Sequence, residues 1–442
     1  MPFEMKHAIM RYVRRAYHLF KVDKLRSLFN DIEVERTVPV VRANYVRVLD
    51  RLRRKANDSS ERIRILFVCG DSTKWKVESV YKLLSASDRY DVAIVVTLYG
   101  WHDDLAEAER RASATYEYFK EKGKRVELGY SISHHKPIPL SSFRPDVVFY
   151  DQPWDIFNCH MPNVVSRYAL TCYVAYMVPN LEISRNHVAT SFHRCLFRHF
   201  TLNDEWTALA MNARQRFCAS AAGDFFATGH PMLDWLGNDD FGLSGNESIV
   251  IYAPHWAFHH KDNPNSLDIS TFLWTGKPML DYARKHNEVN WAFKPHPVLK
   301  GMLIKSGVMT VDEVESYYNE WAAIGECCYS GDYPDLFRRS YAMVTDCSSF
   351  LSEYACTGKP LVRLVSPCEK VKFCELSKPL MDTYYQVRSP EELEPMLDKI
   401  VVRREDPNRE ARQAAAKAMN LIGVDAAGNI VSHLEELIWG HY

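Results

Sequence analysis

Tyr341–Val365 reads YAMVTDCSSFLSEYACTGKPLVRLV. An apolar run ends at Asp346, small polar residues follow, and a helix-length segment then leads to Gly358 and Pro360 ahead of a second apolar run. That order predicts strand, tight turn, helix and strand, which is one βαβ unit of a parallel sheet. The turn Asp346-Cys347-Ser348-Ser349 falls where a strand's carboxyl end meets a helix's amino end, and unpaired N–H groups there favour an anion. Two serine hydroxyls suit a phosphate. Plain scaffolding accounts for the same residues, since Ser and Asp are good N-caps and Gly358 is a good C-cap. Glu353 favours the phosphate reading: it stands four residues beyond Ser349, misses the capping-box spacing of three, and can point one turn along at whatever the serines hold.

A chain of 442 residues with 47% apolar content buries a large core, and its length predicts two domains. No window approaches the roughly 18 unbroken apolar residues of a membrane span, and the amino terminus lacks the apolar core of a signal peptide, so a cytoplasmic protein is expected. Eleven cysteines, scattered and without a CxxC pair, argue against a disulfide framework and against a zinc ribbon.

Charge is unevenly spread. Residues 1–57 hold 14 Lys or Arg against 6 Asp or Glu, a balance of +8, so the remainder sums to −9 within a net charge of −1. Arg11, Arg14, Arg15, Lys21, Lys24 and Arg26 interleave with Ile9, Val13, Tyr17 and Phe20 at helical spacing. Such a helix lies on an anionic bilayer or packs, solvated on one face, against its own domain. Beyond this segment no basic stripe exists to hold a nucleic acid.

Outward from the central unit, strands and helices alternate. Strands are expected at 63–69, 92–98, 126–128, 147–150, 170–174 and 197–201, then at 225–231, with helices near 75–86, 104–122 and 204–216. Residues 236–247, with three glycines, form the best linker. The pattern then restarts with strands at 249–253 and 289–293 and helices at 269–285 and 311–322, before the 341–365 unit. The division is therefore a basic helical segment (residues 1–60), a first Rossmann-like domain for the acceptor (61–235), a second for a nucleotide donor (248–405), and closing helices at 390–402 and 407–439. The last stretch, 406–442, packs back over the first half. This is an α/β protein of glycosyltransferase-B architecture, two doubly wound domains facing a cleft.

Three strand ends of the second half carry the chemistry: Tyr252-Ala-Pro-His-Trp256, Phe293-Lys-Pro-His-Pro297 and Val344-Thr-Asp-Cys-Ser-Ser349. In Lys294-Pro295-His296-Pro297 the prolines stiffen a short turn, so a lysine and an imidazole emerge with little freedom to neutralise charge on a pyrophosphate. A surface proline-rich turn is the plainer alternative. His255 and His259 stand four apart, but Pro254 and the strand before it argue against a shared helical face, so no metal is expected. His255 is kept as a phosphate or base contact; His259, His260, His134 and His135 read as loop residues. In the first half, Asp151-Gln-Pro-Trp154 and Tyr173-Val-Ala-Tyr176 end successive strands, and their aromatics either grip a substrate or simply pack.

YAPHW, FKPHP, YPDLF and VTDCSSFLSEYACTGKP, in this order and spacing, resemble the CDP-glycerol glycerophosphotransferase family of teichoic-acid and capsule synthesis. The resemblance covers Phe225 to Gln386, with Val424 to Leu437 similar to that family's closing helix; the first domain matches in layout alone. It implies a CDP-activated alcohol such as CDP-glycerol as donor, bound by the second domain, and transfer of its phosphoalcohol to a hydroxyl of a saccharide, lipid-linked or polyol-phosphate acceptor, with release of CMP. Carried across, Lys294, His296, Ser348 and Ser349 face the pyrophosphate; from the residues themselves, Pro254 and His255 join the candidate contacts of that site. Glu353 holds the ribose, and Asp346 shapes the turn. The resemblance also implies no tightly bound cofactor or metal, and peripheral attachment to the inner leaflet of the plasma membrane.

One departure concerns the general base. Chain-extending members often carry a Trp-His-Gly motif after a first-domain strand, whereas the comparable stretch here, Thr171-Cys-Tyr-Val-Ala-Tyr-Met-Val178, has no histidine. His160 and His187 flank it and have the right ordinary pKa for proton abstraction near neutrality. Two rival readings stay open: a glycosyltransferase using a nucleotide sugar on the same architecture, and an inactive nucleotide-binding assembly subunit.

Overall fold

Strands buried on both faces build two parallel sheets. The first uses β1 (Ile63–Cys69), β2 (Tyr90–Val96) and β3 (Val126–Leu128); a small antiparallel hairpin, β4 (Tyr130–Ser131) and β5 (Lys136–Pro137), interrupts it. It resumes with β6 (Val147–Tyr150), β7 (Leu170–Val174), β8 (Arg198–Thr201) and β9 (Asp224–Ala227), giving the order 3-2-1-6-7-8-9. The second contains β10 (Ile249–Ala253), β11 (Asn290–Phe293), β12 (Glu326–Cys327), β13 (Ser340–Thr345), β14 (Leu361–Leu364) and β15 (Tyr385–Val387), ordered 12-11-10-13-14-15. Every pairing within both sheets is parallel. In each, strand order reverses once, between β1 and β6 and between β10 and β13. Ligands of open α/β sheets sit in the crevice outside such a reversal. The computed structural model describes residues 31–58, 60–102, 104–235, 248–260, 267–329 and 333–440.

The apolar period of two explains the layering. Ile65, Phe67 and Cys69 enter one cluster while Leu66 and Val68 enter another on the opposite face. Likewise Ile249, Ile251 and Ala253 face one way and Val250 and Tyr252 the other. The lobes share apolar contact, because Val178, Leu202, Trp206, Met232 and Leu233 of the first join the second sheet's cluster.

The basic stretch from Ile9 to Arg26 and the linker 236–247 lie outside the described residues. Residues 31–56 are helical, with Val38, Val41, Tyr45, Val48 and Leu52 buried, four of them in the first lobe's core. That part of the basic segment is a packed element, held also by the Tyr45 hydroxyl donating to the Cys195 carbonyl at 2.5 Å. Replacing fully buried Leu52 with Ala should cost ~3 kcal/mol by lost transfer energy and a cavity. A lowered urea midpoint at unchanged slope would show it; an unaltered midpoint would mean the helix is not part of the cooperative core.

Expected boundaries shift by a few residues, most at 225–231, where the strand is Asp224–Ala227, and at 75–86, where the α-helix is Glu78–Ser85 preceded by a 3₁₀ turn at Ser72–Lys74. The closing stretch 407–439 is two helices, Arg409–Ala418 and Ala426–Trp439. Asn420 and Gly423 take positive φ, which stops the first, and the Asp425 side chain accepts from the Gly428 N–H to start the second. Arg409–Ala418 stays on the second lobe, where buried Arg412 donates to the Gly358 carbonyl and to Asp406. Ala426–Trp439 packs back on the first lobe's core through Ala427, Ile430, Val431, Leu434, Leu437 and Ile438.

Candidate functional site

Asp346 ties the second sheet's reversal point together. Its buried carboxylate accepts from the His255 N–H at 2.5 Å, the Thr271 N–H at 2.6 Å and the Thr271 hydroxyl at 2.8 Å. Burial pushes it up to about 6 in spite of those three donors. One residue earlier, the Thr345 hydroxyl donates to the Ala253 carbonyl at 2.7 Å and accepts from the Cys347 N–H at 2.9 Å. The β10 and β13 ends are thereby locked to each other before any ligand arrives.

The lysine–histidine turn is docked on the same point. The Lys294 N–H donates to the Tyr252 carbonyl at 2.9 Å and the His296 N–H to the Pro254 carbonyl at 3.0 Å, so Pro254 serves as an anchor for the turn. The His255 and His296 rings lie 4.9 Å apart, edge to face. Each Nδ1 accepts a backbone N–H, from Ala257 at 3.1 Å and from Val298 at 3.2 Å, so each neutral ring carries its proton on Nε2. Burial drives His255 down to about 3; His296 also falls well below the usual imidazole range, by burial first and then by the charges around it. Both are neutral donors near pH 7. Lys294 is buried, which lowers its pKa, while Cys328, Cys347 and Glu353 hold it up.

Glu353 closes the far side. Its Oε2 accepts from the Tyr333 hydroxyl at 2.5 Å, and that hydroxyl accepts from the Lys76 ammonium at 2.6 Å. Lys76 belongs to the first lobe, so a charge chain of Lys76, Tyr333 and Glu353 crosses between lobes, all three buried. Burial raises Glu353 and lowers Lys76, each opposed chiefly by the other's charge. Ser348 and Ser349 begin the Ser348–Glu353 helix, whose Cys347 N-cap makes no side-chain hydrogen bond to it. The Ser349 hydroxyl contacts Cys347 Sγ at 3.3 Å, and the Ser348 carbonyl accepts from Asn180 of the first lobe.

The structure therefore brings Pro254, His255, Lys294, His296, Asp346, Ser348, Ser349 and Glu353 to the carboxyl ends of adjoining strands β10, β11 and β13. It does not bring His160 or His187 to them. His160 is buried and its Nε2 donates to the Ile138 carbonyl at 2.7 Å. His187 caps the Arg185–Val188 helix, its Nδ1 accepting from the Ser184 N–H at 3.0 Å. His259 is exposed and paired with Asp268 at 3.0 Å, apart from His255.

Sequence reasoning missed Lys74, Lys76 and the role of Tyr333. Lys76 stands in the polar turn after β1, where a ligand-facing charge is expected, and Tyr333 opens the YPDLF motif. Lys74 shares that turn, and its ammonium meets the Tyr99 ring and Gln152 Oε1 of the same lobe. Lys294 and two neutral imidazole donors make a setting for a diphosphate or a developing phosphoryl charge.

No family model and no curated protein matches the chain. Solved structures do. The wall teichoic acid polymerase TagF is similar with TM-score 0.51 and 11% identity over 92% of this chain and 98% of that one. A TagF variant soaked with CDPG gives TM-score 0.53 and 13% identity over 92% and 98%. The S. aureus MnaA–UDP co-structure gives TM-score 0.52 and 11% identity over 86% and 98%. At such identities the likeness is one of fold, and that fold is the glycosyltransferase-B architecture.

Proposed function

We propose that the protein is a transferase that moves a phosphoalcohol, glycerol phosphate or a close analogue, from a CDP-activated donor to an acceptor hydroxyl and releases CMP. The observation that carries this reading is the docking of Lys294 and His296 on the β10 end beside His255, which gathers a buried lysine and two Nε2-protonated imidazoles at the reversal point of the second sheet. In the reaction the acceptor oxygen bonds to the β-phosphorus, and the bond from that phosphorus to the bridging oxygen breaks. The bonding pair leaves with CMP, and the acceptor's proton passes to a base. Charge grows on the bridging and non-bridging oxygens, which is where a fixed ammonium and two fixed N–H donors act. Ser348 and Ser349 hold the diphosphate from the helix side and Glu353 the ribose. The fold of TagF, solved after a CDPG soak, is compatible with this assignment.

The test is a donor comparison. Incubated with an acceptor pool and CDP-glycerol or, separately, nucleotide sugars, the protein is expected to release CMP from CDP-glycerol alone. Release of a nucleoside diphosphate from a nucleotide sugar would make it a glycosyltransferase. CDP-glycerol binding without turnover would make it a nucleotide-binding subunit.

A further inference from the structure

The transferase reading gives the first lobe to the acceptor without naming the side chains that hold it or the kind of acceptor they fit, and the strand ends of that lobe supply both. Four adjoining strands, β2, β1, β6 and β7, send Tyr99, Lys74, Trp154 and Tyr176 from their carboxyl ends to one place, across that sheet's reversal point. The Lys74 ammonium lies 3.2 Å from the Tyr99 ring centroid and 5.5 Å from those of both Trp154 and Tyr176. It donates to Gln152 Oε1 at 3.0 Å. The Trp154 and Tyr176 rings meet at 5.4 Å, nearly perpendicular, and Trp154 is 39% exposed.

The wall is held rigid from behind. Arg111 donates to the Tyr99 carbonyl at 2.8 Å, Gln152 to the Trp154 carbonyl at 3.2 Å, and Asp155, at φ 54°, accepts from the Gly100 N–H at 3.0 Å. Gly70 makes the fit easy: a Cβ there would press on Tyr99 Cβ at 3.1 Å and on the Gln152 amide at 3.3 Å. Beside Gln152, the buried Asp151 carboxylate has one oxygen, Oδ2, with no hydrogen-bond partner. An unpaired buried carboxylate oxygen retains capacity to accept a hydrogen bond. Burial raises Asp151 to about 7, and Lys74 opposes the rise.

We infer that this crevice binds the acceptor as a sugar ring, stacked by its C–H face on Trp154 beside Tyr176, with its hydroxyls reaching Lys74 and Gln152. A pyranose offers an apolar face rimmed with hydroxyls, and an exposed indole beside an ammonium and an amide is complementary to both. An acyclic polyol phosphate has no face to stack and would use the lysines alone. The inference rests on the transferase reading for calling the ligand an acceptor, but not for its binding.

Saturation-transfer NMR on the full chain, without donor, tests it with methyl β-D-glucopyranoside and N-acetylglucosamine against glycerol 3-phosphate and CMP. Saturation of the sugars' ring C–H protons is expected, with binding weakened roughly tenfold in Trp154→Ala and largely restored in Trp154→Phe. Sugars that bind Trp154→Ala as tightly as wild type, or saturation of glycerol 3-phosphate or CMP with none of the sugars, would overturn it. Sugar binding in a protein that leaves CDP-glycerol intact would keep the subsite and remove the donor assignment instead.

Discussion

Lys294→Met and His296→Ala should each abolish most CMP release, lowering turnover by about a thousandfold while leaving the circular dichroism spectrum and melting temperature near wild type. The size follows from the kind of group removed. A preorganised donor aimed at developing charge in a water-poor cleft accounts for about 10² to 10³ in rate, because it needs no reorganisation as the charge appears. Lys294 is such a group: its backbone is pinned to Tyr252, its side chain is buried, and the Glu353 carboxylate opposes the desolvation that lowers its pKa. His296 is pinned likewise, with Nδ1 committed to the Val298 N–H and Nε2 therefore presenting a proton. Methionine keeps the length of Lys294 without the charge, so loss of rate without loss of stability isolates the electrostatic role. His259→Ala, which removes an exposed ring paired with Asp268, should leave turnover unchanged. Turnover within a few-fold of wild type in both site variants would take the lysine–histidine turn out of the mechanism.

Much of this arrangement was legible in the chain because short-range chemistry wrote it. IRILFVC and IVIYA are apolar on both strand faces, which demands a doubly covered parallel sheet, and both became central strands. Pro295 and Pro297 made the Lys294–His296 turn readable as rigid, and alternation alone placed that turn, His255 and Asp346 at strand ends of one sheet. What stayed hidden depends on partners distant in sequence. Lys76 and Tyr333 are 257 positions apart and meet only because the lobes close on each other. Nothing local said that Glu353, expected to hold a ribose, would already accept from Tyr333, nor that Lys74 would sit among three rings from three other loops. His160 and His187 looked available as bases because a sequence does not show that a backbone carbonyl and a helix cap have claimed them. The break of the closing stretch at Asn420–Gly423 was visible as turn residues, and the helical period on either side of it masked the change of direction.

The interlobe charge chain supplies the other large effect, and its sign depends on how it is cut. Glu353→Leu leaves the Lys76 ammonium buried against the Tyr333 ring, 4.3 Å from its centroid, with its main counter-charge gone. Breaking a buried pair from one side costs about 3–5 kcal/mol, since the remaining ion keeps its desolvation penalty and loses its partner. Lys76→Met alone should cost a similar amount less whatever Lys294 returns, because Glu353 also draws on the Lys294 charge. Removing both ends is different. The double variant Lys76→Met with Glu353→Leu strands no charge of the pair and fills the gap with apolar volume, so it should recover most of the loss, giving a coupling energy of about 2 kcal/mol or more in a urea-denaturation cycle. Simple additivity of the two single losses would mean that the ends act independently, each through its own packing. Recovery of stability together with loss of CMP release would separate two duties of Glu353, one in holding the lobes together and one in taking the donor's ribose.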